Sequence, residues 1–162
     1  MKTLVVFYSH TGHTGHIGRA IAEAADAELL QLETREEEPA GKVGMLFRGV
    51  WQVLCRKRPD LREFTIDPND FDLLFLGTPV WGGTFAPAVR TFLSHNKFEN
   101  KRVALFCCHA GGKGGVFRRL RAALEGNSII GEIDFVEPLR KDTESKTAQA
   151  AKWARELVGS DL

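Results

Sequence analysis

Short apolar runs alternate with amphipathic stretches along almost the whole chain, and this alternation limits the possible folds more than any other feature. Five runs are brief and mostly rich in β-branched or aromatic residues, which is typical of strands: Leu4–Tyr8, Glu28–Leu32, Phe71–Leu76, Val103–Cys107 and Ile129–Val136. The second run is the least apolar, as an edge strand would be. In the stretches that follow, apolar residues recur at the three/four spacing of one helix face. Strands separated by helices predict a doubly wound α/β fold, with a parallel sheet covered on both faces.

Length, composition and charge favour one soluble globular domain. The chain has 162 residues, 43% hydrophobic and 27% charged, without an internal repeat, so we expect a single domain over 1–162. The net charge of +1 predicts neither a nucleic-acid nor a membrane partner. Every apolar run falls far short of the ~20 residues that cross a bilayer, and no signal-peptide pattern occurs at the start. Three cysteines, two of them adjacent, form a poor disulfide framework and favour a reducing, cytoplasmic location.

The longest stretch between predicted strands carries a helix signal of its own. After an acidic loop, apolar residues repeat at helical spacing, which predicts an extra amphipathic helix at about 41–58. Arg56–Arg58 suit the electrostatics of its C-terminus, or alternatively form a partner-docking patch, and Pro59 ends it. Trp51 lies slightly off the apolar stripe. It either packs in the core or, with Phe47, lines an acceptor pocket.

Three loops that follow predicted strands have unusual compositions. Ser9–Thr14 combines hydroxyl groups and a glycine at a strand-to-helix junction, where backbone N–H groups and the helix end suit a phosphate. Thr78–Gly83 carries one tryptophan beside a proline and two glycines, and His109–Gly115 contains four glycines. In doubly wound sheets, ligands bind beyond the carboxyl ends of the strands. Together the three loops predict a site for a phosphorylated planar ligand.

The three motifs together resemble those of the flavodoxin-like FMN-binding proteins of the short-chain type. The resemblance runs from Lys2 to about Val158 and is weakest over 34–70. It implies a five-stranded parallel sheet in the order 2-1-3-4-5 within three αβα layers. It further implies non-covalent FMN binding and electron transfer with a partner protein or a small-molecule acceptor.

The resemblance also assigns roles to the loops. Ser9, Thr11 and Thr14 would hydrogen-bond the FMN phosphate, the second loop would run along the isoalloxazine beside Trp81, and the third would meet the ring's polar edge. The implied cofactor contacts are Ser9, His10, Thr11, Gly12, His13, Thr14, Thr78, Pro79, Val80, Trp81, Gly82, Gly83, His109, Ala110, Gly111, Gly112, Lys113 and Gly115. No catalytic side chain and no metal ligand is expected.

Two features favour an FMN-dependent NAD(P)H:quinone or acceptor oxidoreductase as the alternative to an electron carrier. Flavodoxins that carry electrons are typically acidic, whereas this chain is nearly neutral. The second and third loops contain no Asp or Glu, so Lys113 and His109 are expected to leave positive charge beside a reduced flavin.

Other reactive residue types carry weaker signals. Cys107 with Lys113 resembles a cysteine phosphatase loop, but lysine lacks the bidentate grip of arginine, so a phosphatase or a non-redox regulatory module is a distant alternative. His10, His13 and His16 are not expected to converge on a metal, and His16 is expected to be a solvated helix residue. Three arginines are expected to form a solvated helix face: Arg118, Arg119 and Arg121.

Overall fold

The computed structural model describes residues 1–35 and 58–160. Six strands are present in these ranges: β1 (Thr3–Tyr8), β2 (Glu28–Leu32), β3 (Leu73–Trp81), β4 (Thr84–Phe85), β5 (Arg102–His109) and β6 (Ser128–Val136). The α-helices of the same ranges are α1 (His13–Ala25), α2 (Pro87–His95), α3 (Val116–Ala123) and α4 (Thr143–Gly159). The helix predicted at about 41–58, with Phe47 and Trp51, lies outside the described residues except for Arg58.

Five strands form one parallel sheet in the order β2-β1-β3-β5-β6. The short strand β4 lies off this path and pairs antiparallel with β3. Because β5 and β6 are the fourth and fifth strands of the sequence prediction, the predicted order is confirmed. The strand order reverses between β1 and β3, which is where ligands of such sheets bind.

Alternating side chains of the strands build a separate core on each face of the sheet. On one face, Leu4 and Val6 of β1 pack with residues of α2 and α3, including Phe92 and Leu120. On the other face, a second cluster joins β1 to α1 and α4; it includes Val5, Phe7, Ile17, Ile21, Ala150 and Ala154. The three-layer αβα arrangement is therefore confirmed. No helix of the described ranges is both long and apolar enough to cross a lipid bilayer.

The third strand is longer than the apolar run that predicted it. The run ends before Gly77, yet β3 continues to Trp81. Gly77 lies inside the strand, and the Phe106 ring occupies the space that a Cβ atom would need there. The glycine therefore makes room for a core ring and does not end the strand.

The second predicted loop is a β-hairpin. Val80 pairs with Phe85 across the turn, and the two turn residues, Gly82 and Gly83, have φ of 57° and 74°. Both angles are left-handed, as the tightest hairpins require, so the glycine pair selects this turn. Phe85 ends the hairpin in β4, and α2 begins two residues later at Pro87.

Candidate functional site

The first and second loops meet at an aromatic contact beyond the carboxyl ends of β1 and β3. The Trp81 ring stands edge-on to Tyr8, with ring centroids 5.8 Å apart and planes at 90°. It also stands edge-on to the exposed His10 ring, at 5.8 Å and 88°. The tryptophan of the second loop is therefore held beside the first loop.

The second and third loops touch backbone to backbone at two glycines. A Cβ on Gly114 would lie only 2.8 Å from the Cα of Gly83. Arg119 reinforces this contact, because its Nη1 donates to the Gly83 carbonyl at 3.1 Å. All three loops are thus neighbours. Gly114 was not among the predicted contact residues, although the glycine-rich composition of its loop was the signal for it.

The first loop presents the N-terminus of α1. Gly12 directly precedes the helix with φ of 91°, and Ser9 Oγ accepts a hydrogen bond from the Gly15 N–H at 3.0 Å. The N–H groups of His13 and Thr14, in the first turn, have no acceptor within the helix, and the helix dipole places partial positive charge there. Thr11 is exposed beside them. This geometry suits an anionic group.

The Thr14 hydroxyl, which the resemblance assigns to the phosphate, has a partner inside the protein. Thr14 is 1% exposed, and its hydroxyl forms a hydrogen bond with the Cys108 thiol. Ser9 is partly buried and accepts from Gly15. Of the three hydroxyl side chains predicted to reach a phosphate, Thr11 is therefore the most accessible.

The histidines of α1 hold neighbouring elements together. His13 Nδ1 accepts a hydrogen bond from the Leu139 N–H at 3.2 Å, in the turn that follows β6. His16 Nε2 lies 2.8 Å from Thr147 Oγ1 of α4. The expectation that His16 is solvated is therefore wrong, because packing of α1 against α4 partly buries its ring.

Thr78 shapes the second loop from inside. It is fully buried, and its hydroxyl donates to the Pro79 carbonyl at 2.8 Å and accepts from the Ala86 N–H at 2.9 Å. The side chain ties the two ends of the hairpin to each other. Any contact of Thr78 with a ligand would consequently have to come from its backbone.

The polar side chains of the third loop converge on a carboxylate that sequence reasoning missed. His109 Nε2 lies 2.9 Å from Asp134 Oδ2, and Lys113 Nζ donates to Asp134 Oδ1 at 2.8 Å. Desolvation acts to raise the pKa of Asp134, but its hydrogen bonds with His109 and Lys113 outweigh this and lower that pKa. The hydrogen bond to Asp134 raises the pKa of Lys113.

Asp134 makes the charge beside the third loop different from the one that the sequence predicted. It lies on β6, 25 residues beyond His109, and only the pairing of β5 with β6 brings the two together. The carboxylate balances the charge of Lys113, so the unpaired positive charge expected beside the third loop is absent from this part of the described structure. The rest of the loop is open: Cβ atoms at Gly111 or Gly112 would have no described atom within 4 Å, and Ala110 is exposed.

All three arginines of α3 are exposed, as expected of a solvated helix face, and each also contacts a neighbouring group. Arg119 binds the Gly83 carbonyl, as described above, and Arg121 forms an ion pair with Glu132 of β6. The Arg118 guanidinium lies against Gly115 at the start of the helix. These contacts follow from the packing of α3 beside the second loop and β6.

The burial of the two thiols argues against a cysteine phosphatase. Cys107 is fully buried, and burial raises the pKa of its thiol far above the ordinary value, with the Asp134 charge adding to the shift. Burial also raises the pKa of Cys108 to about 12. A nucleophilic cysteine needs a lowered pKa, so neither thiol suits that role.

A sequence model of one protein family matches most of the chain. The family is described as Flavodoxin, and the match covers residues 2–128. The chain belongs to the flavodoxin family. No curated relative matches the sequence.

Solved structures of similar fold agree with this membership. A flavoprotein of Lactobacillus acidophilus NCFM, crystallised in complex with FMN, is 27% identical with a TM-score of 0.71, over 89% of this flavodoxin-family chain and 98% of the other. A candidate flavoprotein of Bacteroides uniformis ATCC 8492 is 19% identical with a TM-score of 0.76, over 94% and 96%. Two-electron reduced Megasphaera elsdenii flavodoxin is 18% identical with a TM-score of 0.58, over 95% and 98%. The last two show the shared fold.

Proposed function

We propose that this chain binds FMN non-covalently where its three loops meet and transfers electrons with it. The observation that carries the proposal is the convergence of the loops, with Trp81 beside His10 and Gly83 against Gly114. The similarity to the FMN-containing Lactobacillus protein supports the same cofactor. When bound, FMN supplies one- and two-electron chemistry, which the protein tunes by its surroundings.

The residues present fit the two halves of this cofactor. The phosphate would be held by N–H groups at the start of α1, with Thr11 as a side-chain donor and without an arginine or lysine in the loop. The ring would lie beside Trp81 and the open backbone of Gly111 and Gly112, where no side chain obstructs a close approach. The other predicted contacts of the three loops remain part of this proposal.

Titration with FMN tests the proposal. Purified protein should quench the fluorescence of added FMN and bind riboflavin more weakly, because riboflavin lacks the phosphate. Absence of quenching at saturating protein would contradict FMN binding. Equal affinities for FMN and riboflavin would instead contradict the phosphate site at the start of α1.

Thr11→Ala should weaken FMN binding by about 1–3 kcal/mol, because it removes the hydroxyl that would donate to the charged phosphate. Fluorescence titration of the variant gives the dissociation constant. Thr65→Ala is the matched control: Thr65 is also exposed but comes shortly before the amino end of β3, so its loss should leave affinity unchanged. An unchanged dissociation constant for Thr11→Ala would show that the phosphate lies elsewhere.

A second candidate function is FMN-dependent oxidation of NAD(P)H with reduction of a quinone or a similar acceptor. The near-neutral net charge of +1 favours it over exchange with a basic partner protein. Anaerobic stopped-flow mixing of the FMN-loaded protein with NADPH separates the two. Bleaching of the flavin would support the enzyme, and an unbleached flavin after minutes would support the carrier.

We also propose a cytoplasmic location, which the free thiols of Cys107 and Cys108 support.

A further inference from the structure

Two buried side-chain atoms of the described residues have no hydrogen-bond partner, and both lie in or next to the loops that meet at Gly83 and Gly114. They are Thr84 Oγ1 and His109 Nδ1. Thr84 directly follows Gly83 and is 6% exposed, while the His109 side chain at the start of the third loop is 8% exposed. Folded proteins rarely leave buried polar atoms unpaired, because desolvation without a hydrogen bond is unfavourable. Unpaired polar atoms beside both of these loops point to a polar ligand edge there.

Asp134 determines what the unpaired histidine atom can do. The carboxylate accepts from Lys113 on one oxygen and faces His109 Nε2 with the other. An ionised carboxylate can only accept, so the proton of a neutral His109 ring lies on Nε2. Nδ1 is then an acceptor. Thr84 Oγ1, as a hydroxyl, can donate.

The histidine lies on the Trp81 side of the sheet. Residues two apart on a strand share a face, so His109 extends the face of β5 that carries Cys107. Cys107 belongs to the core cluster against which Trp81 packs. An acceptor on this side of the sheet is well placed for a ring held beside Trp81.

We propose that His109 Nδ1 accepts a hydrogen bond from the imide N–H of the flavin ring, and that Thr84 Oγ1 donates to a neighbouring ring carbonyl. One acceptor and one donor match this edge, in which an N–H lies between two carbonyl groups. Asp134 acts as a positioning residue that holds the His109 tautomer. This inference rests on the proposed binding of FMN.

Nitrogen NMR of histidine-labelled protein tests the contact directly. In the FMN-free protein, His109 should show an unprotonated Nδ1, and saturation with FMN should move that signal toward lower frequency. The exposed His95, at the far end of α2, is an internal control and should not move. Asp134→Asn should mix the two His109 tautomers, which a purely structural role of Asp134 would not require. An unmoved His109 signal at saturation would overturn the inference.

Two matched substitutions test which nitrogen atom of the His109 ring contacts the flavin. His109→Asn keeps a polar atom near the position of Nδ1 and should bind FMN within about threefold of the wild type, whereas His109→Gln keeps one near Nε2 and should bind about tenfold more weakly. Thr84→Ser and Thr84→Val form a second pair, in which only valine should weaken binding. Equal affinities within each pair would contradict the assigned contacts. If a variant does not fold, the NMR experiment on the wild type still decides.

The failures of the two proposals are distinguishable. If wild-type protein does not quench FMN fluorescence, the proposed function fails and this inference fails with it. If FMN binds but the His109 signal stays in place, only the inference fails, and the ring edge is held by other groups.

Discussion

Which residue a position tolerates in this protein depends as much on the surrounding side chains as on the helix or strand that contains it. Gly77 is an example, because it lies inside a strand, where glycine is unfavourable, and the Phe106 ring occupies the space of a side chain. Gly111 has the same chemistry in the opposite surroundings, since a Cβ there would meet no described atom within 4 Å. The same substitution is therefore expected to change the free energy of unfolding by different amounts at the two glycines.

Gly77→Ala should lower the free energy of unfolding by about 1–3 kcal/mol, because the added methyl group overpacks the core at Phe106. Urea unfolding followed by circular dichroism measures this change. Gly111→Ala is the matched control and should change stability by less than about 0.5 kcal/mol. Equal effects of the two substitutions would show that the core around Phe106 relaxes without cost.

His13 links the stability of the first loop to pH. Burial, the nearby charge of Arg140 and that of His16 lower the pKa of its imidazole, against an opposing contribution from Glu137. Its Nδ1 must also be unprotonated to accept from the Leu139 N–H. The folded protein thus prefers the neutral ring, and its unfolded chain binds the proton more readily.

Stability should therefore fall as the pH drops below the ordinary histidine value of about 6.5 and through the lowered folded pKa. His13→Asn should reduce this dependence, because its amide oxygen can accept from Leu139 but does not titrate. Urea unfolding midpoints of both proteins at neutral and mildly acidic pH make the comparison. A pH dependence that is unchanged in the variant would assign the effect to other groups.

At the scale of elements, the site depends on contacts between loops that are far apart in the chain. The hairpin of the second loop places Gly83 against Gly114 of the third, and Gly114 has φ of 53°. A side chain at Gly114 would be both strained and in conflict with the backbone of Gly83, which cannot move aside as a side chain could.

Gly114→Ala should consequently separate the two loops and weaken FMN binding by about tenfold or more, as one lost hydrogen bond to the ring would do. Fluorescence titration measures the affinity, and circular dichroism shows whether the fold persists. Gly159→Ala at the end of α4 is the control, because a Cβ there meets no described atom within 4 Å. Unchanged affinity in Gly114→Ala would mean that this contact does not shape the ring site.

At the scale of the whole molecule, the parallel sheet assembles one edge from four segments that the sequence keeps apart. The loops after β1, β3 and β5 meet because these strands are neighbours in the sheet. Asp134 joins them because β6 pairs with β5. Because these four segments come from both halves of the chain, the surroundings of the ligand edge depend on both halves.

The sequence alone determined the fold class, the strand order implied by family resemblance, and the three loops at one sheet edge. These rest on local signals: strand and helix periodicity comes from the pattern of neighbouring residues, and the loop motifs lie at strand ends. Only the tertiary structure decided the partners of individual polar atoms. Thr14 meets Cys108, Thr78 closes a hairpin and His109 meets Asp134, because hydrogen bonds depend on distances of a few ångströms between segments that no local pattern relates.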